Sequence, residues 1–194
     1  MRFLSPTIIA EPRPVASALP ERVLPTSSHI TLPRIIIGIG ELAVATGPRL
    51  ILSTYALGAC LGVIAYDPQL KVGGIIHVML PDSTVSRDKA VKQPAMFADT
   101  GLPLLFRELA KHQIDQSRLR LLIAGGAGII RGADPIKIGA RNLEVTLAYL
   151  KTHGLSVSHQ ETGGSINRTV HLDLSTGVVE LKTPEGTRSC NLGA

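Results

Sequence analysis

Two side chains in this sequence of 194 residues have the types that a nucleophile and its base require. Cys60 lies between Gly58 and Gly62, and flanking glycines permit a sharp turn that presents a nucleophile beside free backbone N–H groups. Such N–H groups would form an oxyanion hole for the tetrahedral intermediate of acyl transfer. The alternative is a small buried thiol that packs as a hydrophobe, because free cysteine is among the most buried residue types. The local sequence alone favours this alternative.

His77 interrupts an apolar stretch that runs from Gly73 to Leu80. An ionisable ring among Ile, Val and Met needs a partner, since it otherwise carries an unsatisfied polar group into the core. A core histidine satisfied by a hydrogen bond is the default explanation. Nucleophilic catalysis nevertheless requires one thiol and one histidine on adjacent strands, because the imidazole takes the proton from sulfur and returns it to the leaving amine. The turn at Asp67-Pro68 could bring the two strand ends together.

Other candidate sites are weaker. His112 and His153 close predicted helices, where a cation suits the helix dipole. Cys190 lies near the C-terminus, and the sequence has no C-x-x-C or H-x-x-x-H spacing, so a zinc site lacks its ligand cluster. The run Gly125–Gly128 has neither the G-K-S/T ending nor the G-x-G-x-x-G frame of a nucleotide-binding loop. We therefore expect neither a metal nor an organic cofactor.

The elements that would position these residues are strands at both ends of the chain and helices in the middle. The apolar patterns predict strands at 35–40, 50–54, 72–80, 119–124, 155–159, 169–174 and 178–182. Residues 61–66 fit either a strand or a buried helix. Two stripes at helical spacing predict helices, one capped at Asp99 or Thr100 and one ended by Gly154. This order favours an α+β layered sandwich of mixed β-sheet with flanking helices over a regular βαβ winding.

Proline content divides the chain. Six of the thirteen prolines fall within residues 1–33. Each proline removes a backbone donor and fixes one dihedral angle, so this segment is predicted to be an extended, poorly ordered N-terminal arm. The folded domain is predicted to span residues 34–184, and residues 185–194 to form a C-terminal tail.

Composition excludes some classes of function. The net charge of +5 is spread along the chain, and only three Phe, three Tyr and no Trp are available to stack on bases, so nucleic-acid binding is not expected. A basic surface could instead steer an acidic protein partner. The longest apolar run, residues 121–130, is too short to span a bilayer, and no signal peptide is recognisable. Two distant cysteines fit a reducing compartment, which predicts a cytoplasmic protein without membrane insertion.

A series of short motifs runs in order through residues 35 to 183. They are Gly38–Glu41, Thr54-x-x-Leu57-Gly58-Ala59-Cys60, Tyr66–Pro68, Val72–Pro81, Ala98–Thr100, Ile123–Ala127, Ile138–Asn142 and Glu161–Gly164. Together they resemble the motifs of the CheD family, the chemoreceptor glutamine deamidases of bacterial chemotaxis. So many ordered motifs raise the catalytic interpretation of Cys60 above the buried hydrophobe.

The resemblance implies a fold, an activity and a site. The family is similar in fold to the cysteine hydrolase domain of cytotoxic necrotising factor toxins, a layered α+β sandwich. Its catalytic trio corresponds to Thr54, Cys60 and His77, without a cofactor. The implied reaction converts specific glutamines on the cytoplasmic helices of methyl-accepting chemoreceptors to glutamates, which creates sites for reversible methylation. The implied partners are these receptors and, in organisms that have one, a CheC-type phosphatase.

Two departures from the family pattern leave alternatives open. Ala59 stands where the family usually has Ser, and Asn167 stands where a glycine is common. Asn tolerates a left-handed backbone better than most residues, so the turn at Asn167 can survive. Ala59 favours a binding module that docks on receptors or on a CheC-type phosphatase without activity. A second alternative is a related cysteine amidohydrolase that acts on another protein.

Overall fold

The computed structural model describes residues 32–128 and 137–194. Most of the predicted N-terminal arm lies outside the described residues. The strands are β1 Arg34–Ile37, β2 Leu42–Thr46, β3 Ile51–Leu57, β4 Leu61–Asp67, β5 Val72–Val78, β6 Arg120–Gly125, β7 Val157–Thr162, β8 Arg168–Asp173, β9 Val178–Thr183 and β10 Gly186–Asn191. The α-helices are α1 Arg87–Lys92, α2 Ala98–Ala110 and α3 Ile138–Thr152.

The strands form two mixed sheets of five strands each. Sheet A has the order β1-β3-β8-β9-β10, and sheet B has the order β2-β5-β4-β6-β7. One parallel pair occurs in each sheet, β1 with β3 and β6 with β7, and the remaining pairs are antiparallel. The predicted α+β layered sandwich of mixed sheet is confirmed.

Strands β4 and β5 form the centre of the molecule. Every residue of both strands is buried, which explains why residues 61–66 read as an unbroken apolar run and confirms the strand over the buried helix. Alternate side chains face opposite layers: Ile64 and Tyr66 pack toward sheet A, whereas Val63 and Ala65 pack toward α2 and α3. The layers are therefore sheet A, sheet B and the two longer helices.

Several local predictions were wrong. The β-branched run Ile35–Ile37 is typical of a buried strand, but β1 is an edge strand and Ile36 is 63% exposed. Helix α2 begins at Ala98 with Phe97 as its N-cap, so Asp99 lies inside the helix and accepts hydrogen bonds from the backbone and side chain of Ser83. Helix α3 does end before Gly154, whose φ of +69° suits glycine.

The predicted boundary at residue 184 differs from the structure. Residues 185–194 contain β10, which pairs with β9 over its full six residues. Leu192, just after β10, is buried in the core between the sheets. The segment is part of sheet A because its backbone pairs with β9, although its polar side chains give little strand signal. No helix of the described ranges is both long and apolar enough to cross a membrane.

Candidate active site

Thr54 of β3 and His77 of β5 meet between the two sheets. Both side chains are buried, at 0% and 1% exposure. The hydroxyl of Thr54 donates to the backbone carbonyl of Ile37 over 2.9 Å, and its Oγ1 lies 2.8 Å from Nδ1 of His77. A hydroxyl has one proton, and Thr54 gives it to Ile37, so Oγ1 accepts the hydrogen bond from Nδ1–H. The proton of the neutral ring is thereby held on Nδ1.

The other ring nitrogen of His77 is available as a base. Nε2 is buried and has no hydrogen-bond partner among the residues that the structure describes. Burial lowers the pKa of His77 to about 4, because the charged ring loses its hydration. The ring is therefore neutral near pH 7, and Nε2 carries a free lone pair.

Cys60 lies in the turn between β3 and β4, at the end of the sheets where His77 is found. In the antiparallel pairing of β4 with β5, Gly62 is directly opposite His77, and Cys60 is two residues before Gly62. The Cys60 side chain is half-buried and packs against the core between the sheets. The turn is followed by a full ladder, so the backbone beside Cys60 is fixed relative to the strand that carries His77.

The thiol of Cys60 is neutral at rest. Burial raises its pKa above the ordinary value, and a hydrogen bond from its own backbone N–H acts in the opposite direction. Since burial also keeps His77 neutral, the resting pair is a thiol and an imidazole rather than a thiolate and an imidazolium.

The glycine run Gly125–Gly128, which begins at the last residue of β6, supports the Cys60 turn. The N–H of Gly126 donates to the carbonyl of Cys60, and the N–H of Ala127 donates to that of Gly58, both over 2.8 Å. Gly125 has a φ of +109°, and a Cβ at this position would lie 2.3 Å from the carbonyl oxygen of Cys60. Only glycine permits this approach. The run Gly125–Gly128, which lacks the motifs of a nucleotide-binding loop, thus supports the turn that carries the candidate nucleophile.

Strand β3 also bends just before this turn. The pairing of β3 with β8 shifts between Thr54 and Leu57, which marks a β-bulge. Within it, Ala56 has a φ of +57°, in the left-handed region that disfavours residues with a Cβ. Bulges and strained backbone of this kind are frequent next to functional sites, where they redirect a chain.

Asn142 is a contact of this site to which sequence reasoning gave no role. It lies on α3, is 0% exposed, and its Nδ2 donates to the carbonyls of Ala59 and Met79 over 3.1 and 3.0 Å. The available signals were its place at the end of the motif Ile138–Asn142 and a polar amide in an otherwise amphipathic helix. Its partners are 83 and 63 residues away, so no local pattern identifies them.

Other histidines lie elsewhere and have ordinary partners. Nδ1 of His171 lies 2.9 Å from Oγ of Ser53 and 3.0 Å from the Arg34 guanidinium, so His171 is a core histidine with partners. His153 stacks on Tyr149 at the end of α3. In the described ranges, no three His, Cys, Asp or Glu residues are grouped so as to hold a metal ion.

The clearest cavities do not contain the three site residues. Cavities of about 230 and 320 Å³ lie along β7 and β10, and both are lined by Glu161, Leu181 and Arg188. A third of about 200 Å³ lies between α2 and α3. Cys60 instead is half-buried in its turn, outside these three cavities.

Comparison with known proteins places the chain in a family. The family model described as CheD chemotactic sensory transduction matches residues 79–183, a segment that begins just after His77. A Syntrophus aciditrophicus protein is 39% identical over 152 residues, covering 78% of this chain and 95% of its own. Proteins of Desulforamulus reducens and Pyrococcus abyssi are each 40% identical, covering 76% and 75% of this chain and 89% of their own.

All three relatives carry the name probable chemoreceptor glutamine deamidase CheD. Among solved structures, a Neisseria meningitidis protein of family DUF152 has a TM-score of 0.42 at 12% identity, covering 70% of this chain and 64% of its own. The family match extends over more than half of the chain, and the relatives align over most of their length. The chain belongs to the CheD family.

Proposed function

We propose that this protein deamidates glutamine side chains of chemoreceptors, with Cys60 as the nucleophile, His77 as the base and Thr54 as the residue that orients His77. The observation that carries the proposal is the hydrogen bond from Nδ1 of His77 to Thr54, which leaves Nε2 without a partner among the described residues. A nucleophile's base needs this arrangement, with one ring nitrogen anchored and the other free. Membership of the family supports the substrate class.

The proposed reaction has two halves. In the first, Nε2 of His77 takes the proton of Cys60 as the sulfur attacks the carboxamide carbon, and the backbone N–H of Cys60 stabilises the oxyanion. The imidazolium then returns the proton to the nitrogen, ammonia leaves and a thioester remains. In the second, His77 removes a proton from water as the water attacks the thioester. The C–S bond breaks, the sulfur regains a proton from His77, and a glutamate is released.

Both groups that must exchange this proton start neutral. Burial disfavours the thiolate of Cys60 and the imidazolium of His77 alike. Deprotonation of the sulfur therefore occurs together with its attack on the carbon, when the negative charge passes on to the carboxamide oxygen. The backbone N–H of Cys60 is the donor proposed to receive that charge.

The proposed substrate is a glutamine on a cytoplasmic helix of a methyl-accepting chemoreceptor, with the protein acting in the cytoplasm. Two exposed apolar side chains, Ile39 and Met79, lie near the candidate base and support a helical partner. Ile39 precedes Gly40, whose N–H donates to the carbonyl of His77, and Met79 is two residues after His77. A helix that lies on them would present its side chains to Cys60. A CheC-type phosphatase is proposed as a second partner on the basis of the family resemblance.

The test is a deamidation assay with the full-length protein and a purified cytoplasmic receptor fragment. Mass spectrometry of the digested fragment should reveal the Gln-to-Glu mass change at specific positions. Cys60→Ala should abolish the change, whereas Cys190→Ser, which removes the other half-buried thiol, should leave the rate unaltered. Undiminished deamidation by Cys60→Ala would refute the mechanism.

Ala59 favours a second candidate, a CheD-like module that binds receptors without catalysing the reaction. The polar contact that residue 59 makes, however, is through its backbone carbonyl to Asn142, and a serine would supply the same carbonyl. The contact between α3 and the Cys60 turn thus does not depend on a hydroxyl at position 59. Receptor binding without any mass change in the assay would favour the binding module.

A further inference from the structure

The side-chain amide of Asn142 joins the two segments that carry the proposed nucleophile and base. Its two N–H bonds reach the carbonyl of Ala59, directly before Cys60, and the carbonyl of Met79, two residues after His77. Asn142 itself belongs to α3, in the helical layer behind sheet B. A single planar group therefore holds both segments at fixed separations from one helix.

This bridge lies where the pairing of β4 with β5 ends. Leu61 and Val78 form the last pair of this ladder, so the next residues outward, Cys60 and Met79, have no ladder contact to hold them together. Beyond this pair the Asn142 amide connects the two segments, through the carbonyl of Ala59 next to Cys60 and through the carbonyl of Met79. Without it, the Cys60 turn would be held through the glycine run of β6 and, on the β5 side, through the adjacent Leu61–Val78 pair.

The buried amide of Asn142 is satisfied on its donor side and not on its acceptor side. Asn142 is 0% exposed, and its Oδ1 has no hydrogen-bond partner within the described residues. A buried acceptor without a partner lowers stability, whereas an apolar side chain at this position would leave the carbonyls of Ala59 and Met79 without their donor. The two donated hydrogen bonds are therefore what the buried amide contributes here.

We propose that Asn142 is a positioning residue that sets the separation between Sγ of Cys60 and Nε2 of His77 by holding the carbonyls of Ala59 and Met79. The inference rests on the proposed roles of Cys60 and His77. It assigns to Asn142 no contact with the substrate. Its effect should therefore appear in the chemical step rather than in receptor binding.

The same helix offers a matched control. Thr146 lies one turn after Asn142, is also 0% exposed, and its Oγ1 also lacks a hydrogen-bond partner in the described part of the chain. Thr146→Val removes a buried polar group from the same face of α3 while keeping the shape of the side chain. A general sensitivity of α3 packing would affect this variant as well.

The experiment compares Asn142→Ser, Asn142→Asp and Thr146→Val in the full-length protein, with kcat and KM for deamidation of the receptor fragment. Serine offers one shorter donor for two carbonyls, so kcat should fall by about tenfold or more while KM stays within about twofold. Thr146→Val should match the wild type in both constants. Thermal unfolding of each variant identifies the temperature range in which all of them are folded.

Asn142→Asp adds a pH signature. A buried aspartic acid can donate one hydrogen bond when neutral, whereas its carboxylate can donate none and repels both carbonyls. Burial raises the pKa of such a carboxyl, so kcat relative to the wild type should fall as pH rises through its titration. The same ratio for Asn142→Ser, which does not titrate, should stay flat.

Three results would overturn the inference: wild-type kcat in Asn142→Ser, an equal loss of kcat in Thr146→Val, or loss of folding in both Asn142 variants while Thr146→Val folds. The last would make Asn142 a residue of the fold and not of the site. Failure of the proposed function is separate, because it appears as activity retained in Cys60→Ala. An inactive Cys60→Ala beside a fully active Asn142→Ser would contradict the role of Asn142 alone.

Discussion

At the scale of single residues, the hydrogen bond between Thr54 and His77 decides which ring nitrogen can act. The Ile37 carbonyl takes the only proton of the Thr54 hydroxyl, so the hydroxyl can only accept from His77. The strand pairing of Ile37 with Thr54 keeps this chain of contacts in place. The tautomer of His77 is thus set by the backbone of β1 through one intervening side chain.

The neutral state of the pair predicts how Cys60 reacts with an alkylating reagent. Burial raises the pKa of Cys60 above its ordinary 9.0 and lowers that of His77 to about 4, so the thiolate is scarce at neutral pH and increases as pH rises. In a Cys190→Ser background, the iodoacetamide rate should climb by about tenfold per pH unit between about pH 5 and pH 8. Mass spectrometry of the modified peptide gives the rate.

His77→Gln is the control for this profile. Because no ion pair exists to be broken, the alkylation of Cys60 in this variant should follow the same slope, although its deamidation rate should fall by about 100-fold or more. A plateau of rapid alkylation across this pH range in the wild type, absent in His77→Gln, would instead establish a thiolate–imidazolium pair. That result would contradict the neutral pair.

The sequence indicates some of these residues and not others, for a physical reason. Cys60 and His77 stand out by type, one between glycines and one within an apolar strand, although their placement at the same end of the sheets depends on strand pairing. Thr54 was indicated by family resemblance alone, since a threonine in a strand is ordinary. Asn142 was given no role, because a buried amide is recognised only by the carbonyls it reaches, and those lie in distant segments.

At the scale of elements, the site depends on the contact of the glycine run after β6 with the turn before β4. A Cβ at Gly125 would lie 2.3 Å from the Cys60 carbonyl oxygen, and its φ of +109° disfavours any other residue. Gly125→Ala should therefore displace the Cys60 turn and destabilise the fold by about 1–3 kcal/mol. Urea denaturation measures the loss, and kcat should fall more than the loss of folded protein explains.

Gly128 is the matched control, because it belongs to the same run but has room for a side chain. Its nearest neighbour would be 4.0 Å from an added Cβ. Gly128→Ala should thus leave both the free energy of unfolding and kcat close to those of the wild type. Equal effects of the two substitutions would mean that the close approach at Gly125 is not what supports the Cys60 turn.

The elements themselves were predictable where a buried position requires apolar residues and so gives the sequence an apolar pattern. The central strands β4, β5 and β6 are buried along nearly their whole length and appear in the sequence as apolar runs. Strand β10 is mostly exposed and polar, and helix α1 has one buried residue, so neither leaves a recognisable pattern. Such elements are specified by neighbouring backbone and not by their own side chains.

At the scale of the whole molecule, the strand order separates the site from the far edge of the sandwich. Thr54 lies on β3, at one side of sheet A, whereas β9 and β10 form the other side of that sheet. The C-terminal residues thus contribute to the closure of the core without approaching His77. Changes in the C-terminal residues should therefore lower the free energy of unfolding without lowering kcat, whereas Gly125→Ala should lower both.

A truncation after Thr183 tests this separation and the boundary that the sequence suggested. It removes β10, leaves the edge of β9 that faced β10 unpaired while β9 still pairs with β8, and uncovers the core where Leu192 is buried. The loss should exceed that of Leu192→Ala in the full-length protein, for which about 2–5 kcal/mol is expected. At a temperature where the truncated protein is still folded, its kcat should remain near the wild-type value. Identical urea midpoints for the truncated and full-length proteins would instead mean that the segment is a tail outside the cooperative fold.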